Sequence, residues 1–237
     1  MQRRRHPSYP LAVGALALVM GCSGGAEQKV LDDFFRASRL RDNTTLGNFA
    51  TVSFDPRTDG IVQSFDVVSV SDERVRPLPL SQFAKQLADA KSADEAFSAQ
   101  KRAYQNANIA VIDRVAKAQA AGKPVASKDQ AVADAWAKWA ADANTHTKAV
   151  SEAQRQLGNN RGVAELSLAR AVAENTDVTT FDGEMASKDI VINASVKQPD
   201  GATAARTMKA VLQRATMKDS GGKKHVGRWI LTSLGPA

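Results

Sequence analysis

The chain has 237 residues, of which 43% are hydrophobic, 24% charged and 5% aromatic, with 15 Gly, 8 Pro and one Cys. These figures exclude a disulfide scaffold, a collagen-like repeat and a wholly disordered tail, and they describe a globular chain of one or two domains. The formal charge of +7 comes from 32 Lys and Arg against 25 Asp and Glu. No zinc-finger spacing or aromatic strand motif accompanies it, so it does not read as nucleic-acid binding.

At the N-terminal end, Arg3, Arg4, Arg5 and His6 precede an apolar run over residues 11–20, which is followed by Gly21 and Cys22. A ten-residue helix reaches only ~15 Å, half of a hydrocarbon core of ~30 Å, so the pattern reads as a secretion signal and not as a mature transmembrane helix. Val19-Met20-Gly21-Cys22 resembles the lipobox of bacterial lipoproteins: an aliphatic residue, a tolerant position, a small residue and the cysteine to be lipidated. In that family the thiol receives diacylglycerol, a lipoprotein signal peptidase cuts before the cysteine, and the new amino group is usually acylated. The resemblance implies that residues 1–21 are removed and that Cys22 heads the mature chain. Cleavage discards three Arg and no acid, so the formal charge falls from +7 to +4. Each buried methylene holds the anchor by ~0.8 kcal/mol, and two or three acyl chains are durable where one is marginal. Residues 22–26 are the tether, and the four after Cys22 reach about 14 Å. Ser23, with no Asp beside the cysteine, resembles the sorting signal of Gram-negative outer-membrane lipoproteins, which implies a position facing the periplasm in a double-membraned host.

Residues 27–41 place Val30, Leu31, Phe34, Phe35 and Ala37 on one helical arc, with Lys29, Asp32, Asp33, Arg36 and Arg39 opposite. Asp42-Asn43-Thr44 stops that helix and caps a short second turn through Phe49, because these side chains accept hydrogen bonds from exposed helix N-terminal amides. Asp55-Pro56-Arg57-Thr58-Asp59-Gly60 is a turn, and residues 61–71, rich in Val and Phe, read as a strand with a bulge.

After Pro77-Leu78-Pro79 the composition changes: residues 81–173 contain 27 Ala and one Pro, with two Gly before Gly162. Val132, Trp136, Trp139, Ala143, His146, Val150, Ala153 and Leu157 recur at steps of four and three, a heptad seam. A weaker seam runs through Phe83, Leu87, Phe97, Tyr104, Val111 and Val115, and Ala121-Gly122-Lys123-Pro124 separates the two. The expectation is an antiparallel helical hairpin whose first arm, unbroken, is about 60 Å long. A third helical piece is expected over 163–174, after Leu157-Gly158-Asn159-Asn160, since Gly158 suits a helix C-terminus.

Beyond Asn175 strand chemistry returns. Ile190, Ile192, Ala194 and Val196 alternate with Val191, Asn193, Ser195 and Lys197, and Gln198-Pro199-Asp200-Gly201 makes a hairpin turn. Residues 203–217 fit either period and read as a strand from their flanking turns, and Trp229-Ile230-Leu231-Thr232 is the closing strand. The expected fold class is α+β. A curved antiparallel sheet with an N-terminal helix, from residues 27–80 and 175–237, is interrupted by a coiled-coil-like hairpin over 81–174.

The opening helix Val30-Leu31-Asp32-Asp33-Phe34-Phe35-Arg36-Ala37, the nearby Arg41-Asp42 and Leu46, and the closing Gly227-Arg228-Trp229-Ile230-Leu231-Thr232-Ser233-Leu234 look like a nuclear-transport-factor-2-like (cystatin-like) domain. The resemblance covers residues 27–73 and 178–235 and implies a sheet curled around helices into a cone with a pocket. Enzymes of that fold use a pocket Asp or His as general base. The candidates here are Asp32, Asp33, Asp66, Asp182 and Asp189, and nothing in the sequence singles one out. Each reads as a solvated position.

No nucleophile elbow, phosphate-binding glycine loop or metalloprotease helix occurs, so no catalytic residue, metal ligand or cofactor is assigned. His146 stands without a cluster at ligand spacing and reads as a packed seam residue, as do Trp136 and Trp139. Lys218, Lys223, Lys224 and Arg228, around the turn Asp219-Ser220-Gly221-Gly222, are candidate contacts for anionic headgroups or envelope polysaccharide, each contributing ~1 kcal/mol near a charged surface. The alternative is a solvated turn. The expected function is that of a non-enzymatic envelope lipoprotein, held to the membrane by its lipid. Its helical hairpin meets an envelope protein partner or a second copy. The competing reading is a small-molecule binder or enzyme using a conical pocket.

Overall fold

The computed structural model describes residues 25–237, so the signal segment and Cys22 lie outside the described residues. Helix α1, Ala26–Leu40, buries the apolar arc read from its sequence, with Leu31 and Phe34 fully enclosed and Phe35 set against the Phe54 and Phe65 rings. It ends where Arg41 takes a left-handed φ of 56°. Asp42 then caps the short α2, Asn43–Gly47, by accepting a hydrogen bond of 2.9 Å from the Thr45 amide.

The sheet is built on two sixteen-residue strands, β3, Asp182–Lys197, and β4, Thr203–Lys218, paired antiparallel along their whole length. Two shorter strands lie end to end along the free edge of β3: β1, Ile61–Val70, and β2, Arg74–Pro79. Along the free edge of β4 lie β5, Lys224–Val226, and β6, Ile230–Pro236. The resulting six-stranded antiparallel sheet curls into a half-barrel, and register shifts between Val62 and Ser64 and between Val67 and Ser69 bend β1 with it.

Because successive strand residues face opposite ways, the sheet carries two cores. Ala186, Ile190, Ile192, Ala194, Val196, Met208, Ala210 and Leu212 pack on one face with α1, Leu46, Phe54, Trp229 and Leu231. Met185, Ala215 and Met217 turn to the other face and meet Leu78, Leu80, Ala164, Leu168, Val178 and Phe181. That second core holds the base of the hairpin formed by α3, Leu80–Ala120, and α4, Gln130–Leu168. Asp182 accepts hydrogen bonds from the Ser81 amide and hydroxyl at the start of α3. Ser167 donates to the Arg228 carbonyl near the end of α4 and accepts from the Ala215 amide.

The α+β class, the curved sheet and the hairpin agree with the sequence. Two local expectations do not hold, and one strand is added. Residues 163–174 are no separate helix: α4 runs unbroken through Gly158 and Gly162 to Leu168, and residues 169–174 are turn and coil, so the hairpin ends six residues earlier. Two mid-helix glycines cost about 1 kcal/mol each, which the burial of Ala164 and Leu168 and the Arg161–Glu165 pair at 2.7 Å offset. α3 is kinked at Asn108, whose φ of −121° is non-helical and whose side-chain Nδ2 donates to the Tyr104 carbonyl at 3.0 Å, competing with the backbone ladder. β2 is an addition to the elements read from the sequence, and it carries Pro77 and Pro79. It is an edge strand, where a residue without an N–H is tolerated.

Candidate functional site

The hairpin touches the rest of the chain only near its base. Along its length the two seams interlock as spaced in the sequence: Phe97 stacks on His146 with ring centres 4.4 Å apart and meets Trp139 at 5.2 Å, while Tyr104 meets Trp139 at 5.9 Å. His146 is therefore a packing residue stacked on the Phe97 ring. At the far end Asp129, with 8% of its side chain exposed, takes two hydrogen bonds from the Arg114 guanidinium, and this partner holds its carboxyl below the usual range. Ile109 is 61% exposed on the outside of α3, beside the kink.

The structure divides the four basic residues grouped at the β4–β5 turn. Lys218, Lys223 and Lys224 are exposed on that turn, which Asp219 organises by accepting from the Gly221 and Lys223 amides at 3.0 and 2.9 Å. Behind them His225 bridges from β5 to the loop after α4. Its Nε2 is 3.0 Å from Asp219, its Nδ1 is 3.0 Å from the Ala171 carbonyl, and its ring stacks on Phe181. Two acceptors favour the doubly protonated ring, so Asp219 first and the carbonyl second raise the His225 pKa, and His225 lowers that of Asp219.

Arg228 points elsewhere, into a cleft of about 630 Å3. That cleft was not legible in the sequence, because its cations come from four separate elements at no motif spacing. α1 supplies Lys29 and Arg36, the loop after α4 supplies Arg170, β4 supplies Arg214, and the loop before β6 supplies Arg228. Its only lining acid among the described residues is Asp33, 3.2 Å from Lys29 and 2.6 Å from Arg36. Arg214 meets Glu73 at 3.2 Å at the margin, while Arg170 and Arg228 have no carboxylate partner among the described residues. Arg228 donates to the Asn48 carbonyl, and burial followed by the repulsion of Arg170 lowers its pKa. The Nε atoms of Arg214 and Arg228 are buried with no hydrogen-bond acceptor among the described residues. Trp229 is the floor, with the Arg214 guanidinium 4.6 Å and the Lys188 ammonium 5.3 Å from its ring centre; Lys188 is in turn held by Glu27. Val30 and Phe49 add apolar wall.

The five carboxylates considered as general bases do not converge. Asp32 and Asp66 are exposed, Asp33 is held by Lys29 and Arg36, and Asp182 is bonded to Ser81. Asp189 lies on the outer sheet face between Arg74 and Lys209, which lower its pKa, the opposite of what a neutral-pH base needs. Among the described residues no helix is long and apolar enough to cross a membrane. Comparison of the chain with protein-family models, with curated proteins and with solved structures finds no match.

Proposed function

We propose that this chain is a lipid-anchored protein of the bacterial envelope that presents a helical arm from a membrane-held base, and that the arm, not a catalytic centre, is what it works through. The observation that carries this reading is the division of the molecule. α3 and α4, of 41 and 39 residues, pack on the sheet only near Leu80, Ala164 and Leu168 and otherwise on each other. A two-helix arm of this length exposes most of its surface and gains little stability from propensity alone. Such an arm serves reach and contact. Anchorage follows from the lipobox at Cys22, three residues before the first described one. A base of the nuclear-transport-factor-2-like kind is part of the proposal, supported by α1 covering one face of a curled sheet.

The test is photo-cross-linking in the producing cell from a probe at Ile109 on the arm and from one at Val68, an exposed residue of β1. A discrete adduct from Ile109 with none from Val68 is expected, its mass distinguishing a second copy from an envelope protein. Adducts from neither position, or from Val68 alone, contradict a working arm.

A further inference from the structure

We propose that the cleft between α1, the end of α4 and the loop before β6 binds a phosphate-bearing anion with an apolar neighbour, either the headgroup of an anionic phospholipid or a free phosphorylated small molecule. Its charge balance points to an anion. Lys29, Arg36, Arg170, Arg214 and Arg228 line about 630 Å3 of space, against Asp33 as the one lining acid among the described residues and Glu73 on Arg214 at the margin. Like charges gathered at one opening repel one another, and a folded chain keeps such a cluster at a cost that a bound anion removes. Donors are at hand: Arg170 and Arg228 line the cleft with no carboxylate partner among the described residues, and guanidinium forks match phosphate oxygens in a bidentate manner. The walls are not uniformly polar. Trp229, Val30 and Phe49 offer apolar surface beside the charges, which suits glycerol or acyl carbons next to a phosphate better than a bare ion.

Position adds a second argument for the lipid source, and this step alone rests on the anchored reading above. Ala26 is both the first residue of α1 and part of the cleft rim. Four residues of chain span at most about 14 Å, so an anchor at Cys22 holds the cleft rim within about 14 Å of the bilayer. A cationic mouth at that distance also gains from the negative surface potential.

The experiment uses the full chain extracted in a non-ionic maltoside detergent. It is titrated by calorimetry with dihexanoyl-phosphatidylglycerol, dihexanoyl-phosphatidylcholine, glycerol 1-phosphate and inorganic phosphate. Trp136→Phe with Trp139→Phe leaves Trp229 as the only tryptophan, so its emission reports occupation of the cleft itself. Saturable binding of phosphatidylglycerol is expected, weakened at least about tenfold by Arg36→Gln with Arg170→Gln and by Arg228→Gln, since a charged hydrogen bond contributes about 1.5–3 kcal/mol. Arg36 and Arg170 are exposed, so that pair of changes keeps the fold even where Arg228→Gln does not. Lys218→Gln, Lys223→Gln and Lys224→Gln together, outside the cleft, are expected to leave binding unchanged. Phosphatidylglycerol bound in preference to glycerol 1-phosphate and inorganic phosphate assigns the site to a lipid headgroup; equal binding of glycerol 1-phosphate assigns it to a soluble phosphorylated ligand. No saturable response to any of the four, or a response that the Arg36 and Arg170 changes leave intact, overturns the site. The mass of the same sample reports lipidation at Cys22 separately, so loss of the anchor and loss of the site are told apart.

Discussion

In the base, β3 and β4 bring Ile190, Ile192, Val196, Ala210 and Leu212 to complete burial beneath Leu31 and Phe34; in the arm, away from the junction, the buried residues are Phe97, Val115 and Ala133, with Asp129 at the tip. Both regions are made of regular elements with a legible apolar pattern, yet they are held by different means. The base holds a core on each face of its sheet, with helix, strand and loop side chains meeting in both. The arm is a single seam, where aromatic stacking and the Arg114–Asp129 clasp replace a core. The contrast teaches that an unbroken heptad pattern specifies which helices pair but not how strongly. Strength depends on how many layers meet, and the arm has one. Opening of the arm is therefore expected at lower free energy than unfolding of the base.

Changes to residues of each region sharpen that contrast. The largest effect is expected from Phe34→Ala, where loss of an enclosed ring costs about 3–5 kcal/mol; chemical denaturation is expected to show a lower midpoint for the base transition. Next comes Gly227→Ala. A methyl group there runs into the Ser167 hydroxyl and carbonyl, at the joint between arm and base, and such overpacking costs about 1–3 kcal/mol. Faster amide exchange at the end of α4 and in β5 is the expected signature. Phe97→Ala removes the ring that meets both Trp139 and His146, so the middle of the arm is expected to exchange faster while β3 and β4 keep their protection. Equal acceleration in the base breaks the comparison.

The smallest effect is a pH dependence at the joint. The raised His225 pKa stabilises the folded state fully below its unfolded value near ~6.5, and this contribution is lost as pH rises through the folded value. The lowered Asp219 pKa acts above an unfolded value near ~3.9 and is lost as pH falls through the folded one. Protection of β5 is thus expected to be best between about pH 4 and pH 6.5 and to decline toward pH 9. His225→Gln is expected to flatten the alkaline side, as hydrogen exchange across pH measures.

Elements with one dominant period were legible in the chain. α1 showed its arc, β3 its alternation and α4 its heptads, because each has one buried face and a repeating environment. β4 fitted two periods and was settled by its neighbours, Gly201 before and Gly222 after, both with positive φ. What misled was local chemistry overruled by packing: Gly158 resembles a helix end, yet Ala164 and Leu168 carry α4 onward into the second core. β2, with Pro77 and Pro79, carries no dominant period and is an edge strand. The cleft was illegible for a different cause. Lys29, Arg36, Arg170, Arg214 and Arg228 each look like an ordinary surface cation, and only the curl of the sheet gathers them. A warning was present in Arg228 alone, which stands next to Trp229 rather than among the lysines of the turn.

Anchorage of the base at the membrane depends on Cys22. The intact mass of the membrane-extracted chain, wild type beside Cys22→Ser, tests it most directly. A chain beginning at residue 22 and carrying acyl mass, absent from the variant, is the expected result; an unacylated wild-type chain contradicts it.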